Sequence, residues 1–205
     1  MARKITIPKV SGRRKKTLPD VITESEIYTI LKFMSLEKHK IILLISFYCG
    51  LRISELVGEY AIKPYSFQWT RWLNNPTEVG ILKVSGKGNK QRLVMVQPTL
   101  MARIYRWITE EVAKTQKKED NLFNIGDRRW RKVLELASKR ALDKMINPHL
   151  LRHSCSIWLK QQGFDVNDRK EFLGHESIST TSIYDRVDTS ALVKKYEKFS
   201  MNSPV

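Results

Sequence analysis

Between His149 and Tyr184 the chain reads His149-Leu150-Leu151-Arg152-His153, an apolar stretch to Gly163, then Leu173-Gly174-His175 and Thr181-Ser182-Ile183-Tyr184. His149 and Arg152 are three positions apart, a spacing that puts two side chains on one face of a helix. An imidazole able to move a proton and a planar guanidinium then address one spot. His175 and Tyr184 each follow an expected helix end or loop, where the backbone can aim a side chain into a shared cleft. This is equipment for transferring a phosphoryl group onto a tyrosine hydroxyl. A phenol with an ordinary pKa of about 10 must lose its proton while attacking phosphorus, so Tyr184 needs cationic neighbours and a base within reach. A guanidinium offers a fork of donors suited to two phosphate oxygens, and two such forks can neutralise a pentacoordinate phosphorane without a metal. Taken singly, each residue has a plainer reading: a lone Tyr near a C-terminus packs or lies on the surface, and a lone His is structural. His153 is read that way, as a helix-packing partner.

The second fork is Arg52, in Gly50-Leu51-Arg52-Ile53-Ser54-Glu55-Leu56, and a lysine sits in Ser85-Gly86-Lys87-Gly88-Asn89-Lys90. These two motifs, followed in order by His-x-x-Arg-His, Leu-Gly-His and a Tyr nine residues beyond that His, resemble the catalytic domain of the tyrosine recombinase (phage integrase) family, over about residues 18 to 195. The resemblance implies a mainly α fold with a small antiparallel β-sheet, an α+β catalytic domain. It also implies roles. Tyr184 is the nucleophile, Arg52 and Arg152 hold the non-bridging oxygens, His175 donates another hydrogen bond to them, and His149 takes the Tyr proton. Lys87, at a hairpin tip between two glycines, protonates the departing 5′ oxygen. The product is a 3′-phosphotyrosyl linkage with a free 5′ hydroxyl. One phosphodiester replaces another, so no cofactor or metal is required. The implied activity is site-specific recombination or integration of double-stranded DNA, by a homo-tetramer on paired sites, with a monomer in solution left open. Two alternatives stay open: a type IB topoisomerase-like relaxing enzyme, which needs no paired sites, and a non-catalytic DNA-binding protein, which forms no covalent adduct.

Two features depart from the family pattern. The family runs from its arginine motif into a strand bearing an aspartate, and residues 58 to 75 show no such strand cleanly. Members commonly carry an N-terminal helical DNA-binding domain, whereas about sixteen residues precede the catalytic part here. Either the chain is a catalytic fragment or it relies on a basic arm.

The bulk properties agree with a nucleic-acid partner. A length of 205 residues fits one domain, or one domain with a tail, and 41% hydrophobic residues argue against disorder. A net charge of +16 points to a polyanion. The longest apolar run, Ile41 to Cys49, is broken by Ser46 and falls short of the roughly 20 residues a bilayer needs, so it reads as a buried helix and no membrane partner is expected. Residues 1 to 16 lack a secretory apolar segment. The expected location is intracellular: cytoplasmic and nucleoid-associated, or encoded by a virus or plasmid. Cys49 and Cys155 lie in apolar helical contexts and read as buried reduced thiols.

The elements that must position these residues follow in chain order. Residues 1–17 form a basic N-terminal arm or linker, with Arg13 and Arg14 as candidate phosphate contacts. Residues 18–187 form the catalytic domain, and residues 188–205 a C-terminal helix and tail that folds back or, as the resemblance implies, docks on a neighbouring protomer. Thr23 and Glu26 form a capping box for a first helix bearing Ile27, Ile30, Leu31 and Met34. A second helix, about Lys38 to Cys49, stops at Gly50. Arg52 precedes a short helix starting near Ser54, and Glu55 reads as a buttress. Val79 to Val84 and Arg92 to Val96 alternate as a hairpin, with Lys90 and Arg92 read as DNA-backbone contacts. Thr99 to about Lys114 is a core helix, and Thr115 to Gly126 a polar connection. The helix marked by Trp130, Leu134 and Ala137 carries Arg128, Arg129, Arg131 and Lys132 on its other side, also candidate DNA contacts. Asn147-Pro148 opens the His149 helix, and Asp165 with Asp168 caps a short helix ending at Gly174.

Overall fold

The helix built from the longest apolar run is the centre of the fold. In the computed structural model, which describes residues 20–86, 88, 90–117, 119–174 and 196, helix α2 spans Glu37–Tyr48 and every residue from Ile41 to Tyr48 is buried. A helix apolar on all sides has no face to offer water and must be wrapped. The wrapping comes from α1 (Glu24–Leu31), α5 (Pro98–Trp107), α7 (Asp127–Leu142) and α8 (Pro148–Gln161). Two of the buried hydroxyls on α2 find partners. Ser46 Oγ donates to Ile42 O at 2.7 Å, and the Tyr48 hydroxyl lies 3.2 Å from that of Tyr28 and donates to Glu24.

Short capping devices fix the helix ends. The Thr23–Glu26 box caps α1, and an Asp165–Asp168 box caps α9 (Val166–Leu173). The Asn147 side chain accepts from Leu150 N at 2.9 Å, and Pro148 fills the first position of α8, where a missing N–H costs nothing. After Cys49, Gly50 adopts φ +59°, ends α2 and turns the chain toward α3 (Ile53–Leu56).

The sheet is one antiparallel pair, β1 (Gly80–Ser85) on β2 (Gln91–Val96), running in register from Gly80↔Val96 to Ser85↔Gln91. Helix α5 presses on it so closely that a Cβ on Gly80 would lie 2.2 Å from Met101 Cγ. In the irregular stretch ahead of the sheet, residues 64–66 form one 3-10 turn and Trp69–Asn74 form α4. An extra strand is reduced to a single bridge, Phe67↔Leu82, with Gln68 N donating to Ile81 O at 2.9 Å. Trp69 stacks on Phe67 and meets Trp72 and Tyr105, so both tryptophans pack into the domain.

Two expectations are corrected. The long core helix is not uniform: a π-helical stretch, Ile108–Val112, separates α5 from α6 (Ala113–Thr115). The connection from Thr115 to Gly126 is not simply polar. Leu122 and Phe123 are buried at 0% and 1% exposure, Leu122 N donates to Ile62 O at 2.8 Å, and Phe123 stacks on Trp107 with centroids 5.5 Å apart. Two apolar residues in a polar run are too few for a periodicity, yet they plug the side of the core. The arm with Arg13 and Arg14, and the expected last helix apart from Tyr196, lie outside the described residues. Tyr196 itself is buried among Trp158, Phe164 and Phe172 of its own chain. Among the described residues no helix is long and apolar enough to cross a membrane.

Candidate active site

The C-terminal end of α9 is where the two arginines meet. Arg152 Nη2 donates to Leu173 O, and Arg52 Nη2 donates to the next carbonyl, Gly174 O, at 2.9 Å. Consecutive Cα atoms are about 3.8 Å apart, so these two hydrogen bonds bring the guanidiniums side by side. The acceptors are end-of-helix carbonyls without an intrahelical partner, carrying the negative end of the helix dipole. Arg152 Nη1 donates in addition to Gly50 O, two residues before Arg52. Each guanidinium has five N–H donors and the protein takes two of these from each side-chain fork, which leaves donors on both for an incoming oxyanion.

Burial and charge separate the two. The Arg52 side chain is 40% exposed, whereas Arg152 is only 9% exposed. Burial first, then repulsion from Arg52 and Arg92, lowers the Arg152 pKa to about 10, so it remains charged at neutral pH while lacking full electrostatic compensation. Beside Arg52 sits Glu55, 1% exposed, as the expected buttress. Its Oε2 accepts from Arg52 N at 2.7 Å and its Oε1 from Arg52 Nη1 at 3.0 Å. Burial pushes the Glu55 carboxyl up, but the hydrogen bonds and charge of Arg92, followed by those of Arg52, outweigh it and hold the group below its ordinary value.

Arg92 occupies a place the sequence reading did not give it. Expected at the DNA backbone, it instead grips Glu55 with both terminal nitrogens, Nη1 to Oε1 at 2.6 Å and Nη2 to Oε2 at 2.8 Å, and its side chain is 13% exposed. A signal for this was present. Arg92, Val94 and Val96 alternate on one face of β2, and both valines are fully buried, so Arg92 starts from the core side and needs a buried carboxylate.

His149 stands in the first turn of α8, exposed, one turn before Arg152. Lys87, His175 and Tyr184 lie outside the described residues, but the residues just before Lys87 and His175 are placed. Gly86 closes the hairpin through its N–H to Lys90 O at 2.8 Å, and a Cβ on it would be 3.7 Å from Glu55 Oε1. The residue before Lys87 therefore lies against the arginine cluster. The residue before His175 is Gly174, whose carbonyl Arg52 holds.

The remaining basic candidates divide. Arg131 is paired with Asp127 at 2.5 Å and Lys132 with Glu135 at 3.0 Å. Arg128 and Arg129 are exposed in the first turn of α7 and have no carboxylate partner among the described residues. Lys90 is exposed beside the hairpin tip.

The chain is similar to known proteins along most of its length. The profile of the Phage integrase family matches residues 20–191. Tyrosine recombinase XerA of Pyrococcus horikoshii is 30% identical over 208 residues, which cover 96% of this chain and 66% of that protein. The integrase from mycobacterium phage Brujita superposes with a TM-score of 0.67 at 20% identity, over 94% of this chain and 62% of that one. The XerH site-specific recombinase, in a pre-cleavage complex with its difH substrate, superposes with a TM-score of 0.63 at 24% identity, over 78% and 48%. At these identities the solved structures establish the fold. The chain spans just under two thirds of the length of the curated relatives it matches. With the family profile covering most of the chain and two guanidiniums converging on one helix end, the chain belongs to the phage integrase family.

Proposed function

We propose that this chain is the catalytic part of a site-specific DNA recombinase that cleaves and rejoins double-stranded DNA through a 3′-phosphotyrosyl intermediate. The observation that carries the reading is the pair of forks, Arg52 and Arg152, docked on the consecutive carbonyls of Gly174 and Leu173. Donors fixed in advance where charge develops need no reorganisation during the reaction, which is the main source of electrostatic catalysis. A phosphodiester entering this site meets Arg152 as a buried, repelled cation and relieves that repulsion.

In this mechanism Tyr184 attacks phosphorus and forms the P–O bond as the bond to the 5′ oxygen breaks. His149, exposed at the start of α8, takes the phenolic proton. Lys87, borne on the hairpin whose base touches Glu55, gives a proton to the 5′ oxygen. His175, following the Gly174 carbonyl that Arg52 holds, adds a hydrogen bond to a non-bridging oxygen. Rejoining runs the same steps backwards with the 5′ hydroxyl of another strand. Exposed Lys90, Arg128, Arg129, Arg131 and Lys132, with Arg13 and Arg14 of the arm, line the duplex backbone, and four copies assemble on paired sites. Arg128 and Arg129 favour this, since cations at a helix N-terminus oppose the dipole unless an outside anion meets them.

The test is incubation with a duplex library nicked close to the scissile position, so that the short 5′-hydroxyl strand diffuses away and traps the adduct. Parent protein forms an SDS-stable DNA adduct and Tyr184→Phe forms none. Adduct formation by Tyr184→Phe would show that another residue is the nucleophile, and its absence from the parent would remove the catalytic reading. Sequencing the trapped ends reports the target site.

A further inference from the structure

Glu55 accepts four hydrogen bonds, two from Arg52 and two from Arg92, shared equally between its oxygens. A carboxylate has about four lone-pair sites, so the group is saturated and its orientation fixed. The two arginines use it differently. Arg92 meets it fork to fork, the geometry that fixes both partners, whereas the Arg52 side chain contributes one bond and turns another donor to Gly174 O.

Arg92 also touches the second support of Arg52. A Cβ on Gly174 would lie 2.7 Å from Arg92 Cδ and 3.1 Å from its Nε, so the Arg92 stem runs through the space that Gly174 leaves empty. Both anchors of Arg52, the Glu55 carboxylate and the Gly174 carbonyl, therefore rest on Arg92. Little of Arg92 faces outward: its side chain is 13% exposed, each terminal nitrogen is turned to Glu55, and its Nε is buried without a partner.

The charges point the same way. With Arg92 in place, three guanidiniums face one carboxylate. With Arg92 gone, Glu55 would turn its full charge on Arg52 and draw that fork into a bidentate pair, away from any phosphate. We propose that Arg92 is a positioning residue: it occupies Glu55 and braces Gly174 so that Arg52 keeps its donors for the scissile phosphate, and it does not itself contact DNA.

This deepens the recombinase reading and rests on it, so the experiment uses two readouts. The first is the rate of covalent adduct formation on the nicked duplex by Arg92→Met, Arg92→Lys, Glu55→Gln and the double variant Arg92→Met/Glu55→Gln. A displacement of Arg52 of about 1 Å lowers the rate roughly 10²-fold in Arg92→Met. Arg92→Lys recovers part of it by restoring the charge. The double variant loses much less than the product of the two single losses, because Arg92 acts on Arg52 in large part through Glu55. The second readout is the slope of log binding constant against log salt for an intact duplex, whose magnitude drops by about 0.9 for each phosphate that the protein ceases to neutralise. It is unchanged in Arg92→Met, or in the equally uncharged Arg92→Gln should the methionine variant fail to fold. A slope reduced by about 0.9, or a double variant whose loss is the product of the single losses, overturns the proposal. If the parent forms no adduct, the recombinase reading falls, and the salt slope still decides whether Arg92 meets phosphate.

Discussion

Replacing Gly50 by alanine adds one methyl group at the point where α2, α8, α9 and the Arg52 turn come together, and its cost follows from the coordinates. Gly50 has φ +59°, and a left-handed conformation costs an L-residue roughly 1–2 kcal/mol. The new Cβ would lie 2.4 Å from Leu173 Cδ2 and 2.9 Å from Cys155 Sγ, both buried, and forcing a methyl into such a place costs about 1–3 kcal/mol more. The expected destabilisation is therefore about 2–5 kcal/mol, or roughly 4–20 °C in Tm for a domain of this size. Gly88 supplies the control, since it has φ +74° and nothing within 4 Å of its Cβ position, so Gly88→Ala carries the backbone cost alone. Calorimetry of the two variants separates strain from clash. The Gly50 carbonyl also accepts from Arg152, and its displacement should slow adduct formation even where the variant is folded. A Gly50→Ala protein no less stable than Gly88→Ala would refute the packing reasoning.

Other outcomes follow from the same coordinates. Glu55→Gln leaves Arg92 half-buried without its anion; with the share of the more exposed Arg52 discounted, the loss is about 2–4 kcal/mol at neutral pH. The folded carboxyl titrates below its ordinary value, so this stability is present above the unfolded value of about 4.3 and lost as pH falls through the lower folded value; the Tm gap between parent and variant should close in that acid range. Arg152 acts through duplex binding instead of folding: a cation with a folded pKa near 10 is charged below that pH, so binding should weaken as pH rises through about 10, and Arg152→Gln should show a smaller loss over that range. Arg128→Ala and Arg129→Ala should each reduce the salt slope of duplex binding by about 0.9 and, by removing a cation from the α7 N-terminus, stabilise the free protein by about 0.3–1 kcal/mol in denaturant titrations. Phe123→Ala should cost about 3–5 kcal/mol, against near-neutrality for a solvated loop residue.

Features with a local cause were legible in the sequence. The Thr23–Glu26 and Asp165–Asp168 boxes, Pro148 at the start of α8 and the stops at Gly50 and Gly174 depend on residues within four positions of each other, so helix ends could be read directly. The wrapping of α2 followed from its unbroken apolar run. What escaped depends on residues distant in the chain. Leu122 and Phe123 are buried because Ile62 and Trp107 offer a backbone acceptor and a ring to stack on, and nothing in a short polar stretch announces that. The third strand fails because Gln68 leads directly into α4, leaving Phe67 as its only bridging residue.

The arginine cluster shows where the line between these cases falls. Arg52 and Arg152 were legible as types, because a guanidinium suits a phosphate wherever it stands. The groups that aim them were not, because they are mostly backbone carbonyls, of Gly50, Leu173 and Gly174, and a carbonyl has no letter in the sequence. What the sequence does record is the space those carbonyls need: glycine at 50, where a side chain would strike Leu173, and glycine at 174, where it would strike Arg92. The exception is Glu55, a carboxylate legible as a buttress from its place beside Arg52, although its second partner is not. A charge of +1 on the buried face of β2 had to be answered from elsewhere in the fold, and Glu55 stands 37 positions away. Alternation along a strand therefore has predictive use beyond the core: a cation in phase with buried valines implies a carboxylate inside, and in this chain that carboxylate lies behind the site where phosphate would bind.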